Sequence, residues 1–127
     1  MQNWSIFAVL VTGILPVVCA GIAKAGLKSY DNHDPRACLQ QVTGYRARAN
    51  AAQANSFEAF PFFAAGVALA LWAQVDAVLL NVLAWLVVLT RVAYIYCYVT
   101  DRATLRSLIW MLGFFASASL YVLAGLR

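Results

Sequence analysis

The chain has 127 residues, of which 64% are hydrophobic and only 11% charged, with a net charge of +4. Ordinary globular proteins carry roughly 45–50% and 25%, and a fold this small has a large surface to cover with polar side chains. The composition excludes a soluble enzyme, a disordered chain and a disulfide-stapled secreted module. The nine basic residues form no solvated patch for nucleic acid, and the chain reads as an integral membrane protein.

Four apolar stretches, each near the ~20 residues that cross a bilayer as a helix, predict spans over residues 4–27, 44–73, 77–99 and 103–126. Pro16 should kink the first span without ending it. No basic segment precedes Ile6, and the apolar run exceeds the hydrophobic core of a leader, so a cleaved signal peptide is not expected. The connection that follows carries Asp31-Asn32-His33-Asp34-Pro35, dense in turn-formers, and is the one real loop. His33 reads as a solvated turn residue, and Asp76 as a turn residue of the 73–76 connection. The 100–103 connection is similarly short. No alternating segments suggest a membrane barrel. The expected architecture is all-α: a single domain over 1–127, an antiparallel four-helix bundle.

Lys24, Lys28, Arg36, Arg46, Arg48, Arg91, Arg102 and Arg106 lie at or near one end of this bundle, and Arg127 alone at the other. The positive-inside rule then places the 1–2 and 3–4 connections in the cytoplasm and the termini outside. Trp4, Trp72 and Tyr121 read as interfacial belt residues. Cys19, Cys38 and Cys97 read as free thiols, with no metal-ligand spacing. Gly113, Ala116, Ser117 and Ser119 permit close helix approach on the fourth span.

An ionisable group at membrane depth costs at least about 2.5–3.5 kcal/mol and marks function by default. In the second span, Asn55 falls about 20° and Glu58 about 80° from Arg48 at 100° per residue, whereas Gln53 projects nearly opposite. Arg91, Tyr94 and Tyr98 form one stripe of the third span, and Arg106 opens the fourth with Trp110 one turn on. Gathered, these groups make a polar pocket at the basic end. Guanidiniums bind carboxylates, Glu58 accepts an ammonium, and phenols bond peptide groups. Glutathione, with two carboxylates, an amine and peptide bonds, matches that inventory. The competing reading is an Arg91–Glu58 ion pair that holds the bundle with no ligand.

Two segments resemble a known family. Arg46-Ala-Arg48-Ala-Asn-Ala-Ala-Gln53-Ala-Asn55-Ser-Phe-Glu58-Ala-Phe-Pro61 is similar to the helix-two signature of the MAPEG family, the membrane-associated proteins of eicosanoid and glutathione metabolism. Arg91-Val-Ala-Tyr94-Ile-Tyr-Cys-Tyr98, with Leu105-Arg106-Ser107, resembles its second motif, and the 30–36 loop looks like that of small bacterial members. The resemblance implies a homotrimer in a bacterial inner membrane, with glutathione as co-substrate between subunits. Arg48, Asn55, Glu58, Arg91, Tyr94 and Tyr98 would hold it and Arg106 would stabilise its thiolate. The implied activity is a glutathione transferase or peroxidase acting on hydrophobic electrophiles from the bilayer. The alternative is a non-enzymatic member, a structural subunit of a larger membrane complex or a lipid-binding trimer. The chain departs from many glutathione-using members at Ala51, where they carry Arg, and at Trp110, where they carry Tyr.

Overall fold

The structure, a computed structural model, describes residues 2–127. Five helices follow in order: α1 (Trp4–Lys24), α2 (Pro35–Gln40), α3 (Gly44–Trp72), α4 (Ala77–Val99) and α5 (Ala103–Gly125). Four of them are long and apolar enough to cross a membrane, and no strand occurs among the described residues. The first span ends three residues earlier than expected. The loop holds the short α2, which starts where Pro35 follows Asp34, whose carboxylate accepts from the Ala37 N–H at 3.2 Å. In the same loop the His33 backbone N–H, and then its ring, hold the Asp31 carboxyl below the usual carboxylate range.

In cross-section α1 packs on α3, α3 on α5, α5 on α4, and α4 back on α1, with α3 and α4 also meeting across the diagonal. The faces that meet are built from small residues. α1 buries Ser5, Ala8, Thr12, Pro16, Cys19 and Ala23, a stripe recurring every three or four positions, against Ala49, Ala52 and Ser56 of α3. The large side chains Ile6, Phe7, Leu10, Ile14 and Val17 point away from the bundle. Between apolar surfaces in lipid there is no hydrophobic force left to gain, so close backbone approach and van der Waals contact must drive association. On α5, Gly113, Ala116 and Ser117 fall on the buried stripe as expected, whereas Ser119 bonds the Phe115 carbonyl outside it.

Both tight connections end their helices in the same way. In the first, Gln74 adopts a left-handed conformation, Val75 N–H donates to Ala70 O and Gln74 N–H to Leu71 O. Asp101, Arg102, Cys97 and Tyr98 repeat the pattern after α4. These are six-residue helix stops that satisfy the last carbonyls. Arginines finish the work at the basic end. Arg46 Nη1 donates to Ala23 O at 2.9 Å and Arg48 Nε to Val99 O at 3.1 Å, so two α3 side chains cap the C-termini of α1 and α4. At the opposite end, Asn81 joins α1 to α4 by accepting from Ser5 N–H and donating to Gln2 O.

The closest approach joins α4 and α5. A Cβ on Gly113 would stand 2.5 Å from Thr90 Oγ1 and 3.3 Å from Thr90 Cβ, and Thr90 is held by its own bond to Val87 O. The substitution Gly113→Ala should therefore destabilise the detergent-solubilised protein by about 1–3 kcal/mol, read as a lower unfolding temperature. Adding Thr90→Ala should restore most of that loss. Additive effects of the two substitutions would show that the contact is not the cause.

Candidate functional site

Apolar packing fills the bundle away from the basic end, where Phe63, Val67, Leu80, Val87 and Leu120 close on one another. Toward the basic end the side chains change character. Cys19, Ala52, Tyr94 and Ile95 form a smaller cluster there, and above it lie the polar residues.

Arg91 is the central one. It sits eight residues before Val99, about 12 Å along α4 at 1.5 Å per residue, and is only 7% exposed. Its Nη2 donates to Ser56 Oγ at 3.1 Å, and its guanidinium carbon lies 4.3 Å from the centre of the Tyr94 ring. Tyr94 meets Tyr98 edge to face at 5.7 Å, and Arg106 of α5 stacks on Tyr98, again at 4.3 Å. The result is a ladder of alternating cations and rings that ties α3 to α4 and α4 to α5. Cation–π contacts of this kind strengthen when desolvated, to about 2 kcal/mol or more.

The expected alternative, an ion pair between Arg91 and Glu58, does not form. The one ion pair among the described residues is His33–Asp31, in the loop at 2.9 Å. Glu58 stands at the midpoint of α3 with its side chain exposed. Arg91 therefore has a hydroxyl and a ring for company but no anion.

Beside Arg91 opens a crevice of about 180 Å³ between α3, α4 and α5, floored by Thr12 and Leu15 of α1. Asn55, Ser56 and Glu58 contribute one wall, Arg91 another, and Trp110 and Phe114 the third. The Asn55 Oδ1 is buried without a hydrogen-bond partner among the described residues. A buried acceptor left open costs about 1–3 kcal/mol. An N–H donor entering the crevice would remove that cost.

Of the residues singled out in the sequence, Asn55, Glu58 and Arg91 thus meet in one crevice. Tyr94, Tyr98 and Arg106 stand next to it in the ladder, and Arg106 is bonded neither to Asp101 nor to a backbone carbonyl among the described residues. Arg48 stands apart, committed through Nε to the end of α4. Three residues escaped sequence reasoning. Ser56, a small polar residue flanked by the conspicuous Asn55 and Glu58, is the hydrogen-bond partner of Arg91. Phe62 and Phe114 were indistinguishable from lipid-facing phenylalanines. Tyr121, expected at the interface, donates its hydroxyl to Phe62 O at 2.7 Å, in the α3–α5 contact.

The sequence profile of the MAPEG family matches residues 4–126. The chain belongs to that family, which includes glutathione transferases and peroxidases as well as non-enzymatic members. No curated protein and no solved structure matches the chain.

The Arg91–Ser56 bond is the polar link holding the buried guanidinium to α3. Hydrogen bonds to charged groups are worth about 1.5–3 kcal/mol, so Ser56→Ala should lower the unfolding free energy by that order. The exposed Ser107, which bonds only its own helix at Ala103 O, should tolerate the same change within about 0.5 kcal/mol. Equal effects at the two serines in a denaturation series would contradict the assignment.

Proposed function

We propose that this MAPEG-family chain is a glutathione-dependent membrane transferase, with peroxidase chemistry toward hydroperoxides at the same site, working on hydrophobic electrophiles dissolved in the bilayer. The observation that supports it most is the buried Arg91 guanidinium without a carboxylate, set beside the unpartnered Asn55 Oδ1 in an open crevice. A cation and an acceptor left open at membrane depth are costly in isolation. A ligand with a carboxylate and amide N–H groups answers both needs at once.

In this reading glutathione lays a carboxylate toward Arg91 and an amide N–H toward Asn55, while Glu58 takes its ammonium. Tyr94 and Tyr98 supply phenol groups to its peptide bonds. Arg48 keeps its place as the cap of α4. The exposed Glu58 bears on assembly. A carboxylate halfway along a spanning helix is costly facing lipid, so a neighbouring copy covers it, which favours a homo-oligomer; the trimer with the tripeptide between subunits is what the family resemblance implies. The basic ends then lie in the cytoplasm, where glutathione enters.

Arg106 acts on the sulfur. A cation near the thiol lowers its pKa from about 8.5 and raises the fraction of nucleophile at neutral pH. In the transferase reaction the thiolate pair forms a C–S bond to the electrophilic carbon, and the leaving group departs with its own bonding pair.

The test is an ultraviolet difference titration of purified protein with glutathione. A saturable thiolate absorbance is expected for the native chain, absent in Arg106→Ala and partly restored in Arg106→Lys, which keeps the charge but not the planar fork. No thiolate signal up to millimolar glutathione would overturn the enzyme reading and favour a non-enzymatic member.

A further inference from the structure

Arg106 stands where a helix disfavours a cation. It is the fourth residue of α5, whose first turn holds no acidic side chain and whose N-cap, Arg102, makes no side-chain cap bond. The N-terminal end of a helix carries a partial positive charge that attracts anions and repels cations. A half-buried guanidinium there, with no carboxylate partner among the described residues, is driven outward toward water. What keeps it is a ring. Its guanidinium carbon lies 4.3 Å from the centre of Tyr98, whereas the exposed Arg102 comes only within 6.0 Å of Tyr96.

Tyr98 is itself fixed. Its carbonyl accepts from Asp101 N–H at 3.2 Å in the stop that ends α4, and the next carbonyl, of Val99, accepts from Arg48 Nε. Its ring meets that of the buried Tyr94 edge to face. A guanidinium stacked on a ring keeps its five N–H donors in its own plane. Its face is occupied and its edge stays free.

We propose that Tyr98 is a positioning residue: its ring face holds the Arg106 guanidinium edge-on to the place where the sulfur ionises, a task separate from any bond its hydroxyl makes to glutathione. The proposal rests on the reading of Arg106 as the thiolate's partner. A stacked arginine gives up its rotamer freedom when the chain folds and not when the substrate arrives. The positive end of α5 then adds to its field at the same place. Without the ring the guanidinium swings away, and the thiol ionises only at higher pH. Around the pair stand Arg91 and Tyr94 of α4, Arg48 and Glu58 of α3, Cys19 of α1, and Asp101 and Arg102 of the connection. All of these stay in place in the variants that test the ring.

Two variants separate ring from hydroxyl: Tyr98→Phe keeps the ring, and Tyr98→Leu keeps neither. The thiolate absorbance of saturating glutathione is followed against pH with the full chain in lipid nanodiscs. In Tyr98→Leu the midpoint should rise by about one pH unit, about a tenfold loss of thiolate below it. In Tyr98→Phe it should stay within about 0.3 of the native value, even where loss of the hydroxyl weakens glutathione binding. Tyr96→Leu, at the exposed ring beside Arg102, should leave the midpoint unchanged. A midpoint unmoved in Tyr98→Leu, or moved equally in Tyr98→Phe, overturns the proposal. Arginine-selective NMR without glutathione reads the contact itself. The Arg106 side-chain protons, identified by their loss in Arg106→Lys, should lie upfield in the native chain and in Tyr98→Phe but not in Tyr98→Leu. No upfield shift in the native chain also overturns the proposal. A native chain without thiolate absorbance overturns the proposed function and any ionising role with it, and the NMR arm still decides whether the ring holds the guanidinium.

Discussion

The polar residues at the basic end of this bundle gather around a buried guanidinium with no carboxylate beside it. Arg91 lies at membrane depth, buried, and the fold answers it with a serine hydroxyl and an aromatic face rather than with a carboxylate. A structural ion pair would have been the simpler solution, since breaking a buried pair leaves an uncompensated charge. Glu58 was available on the next helix and is not used. The ladder through Tyr94 and Tyr98 to Arg106 keeps two guanidiniums in fixed positions while leaving both without an anion. Preorganised cations without counter-charges are what a site for an anionic substrate requires.

The rest of the fold makes that arrangement tolerable. Stripes of Ala, Ser, Cys and Gly let α1, α3, α4 and α5 approach closely, so dispersion replaces the hydrophobic effect that lipid removes. The other basic residues are largely spoken for. Arg46 and Arg48 cap α1 and α4, which stabilises carbonyls that would otherwise stay open at the membrane boundary. Charge placement that serves topology therefore serves helix termination too. Among the described residues lining the crevice, Arg91 is the one guanidinium, and Ala51 adds none.

The spans and their order were legible because hydrophobic length is a one-dimensional signal, and three of the polar residues that meet in the crevice were legible because charge and amide groups are rare in spans. Arg48 was not, because angular position on a helix does not reveal that its reach ends at the Val99 carbonyl 51 residues away. Ser56 carries no signal above any other small residue. The bond and stacking of Tyr121 on Phe62 were not legible either, because both need the facing helix. The hexaresidue α2 was hidden in a turn-rich loop, although Asp34-Pro35 is a serviceable start signal in hindsight. What escaped depends on contacts between helices, which periodicity within one helix cannot encode.

The claim that the crevice awaits a carboxylate and amide ligand is tested most directly by thermal unfolding against ligand concentration, comparing glutathione with its S-methyl derivative. The account predicts a saturable rise in unfolding temperature with both, because Arg91 and Asn55 read the peptide and not the sulfur. At a hundredfold excess over Kd the linkage amounts to about 2.7 kcal/mol. Both responses should vanish in Arg91→Met. No rise with either compound at millimolar concentration would contradict the account, and so would a rise that Arg91→Met leaves intact.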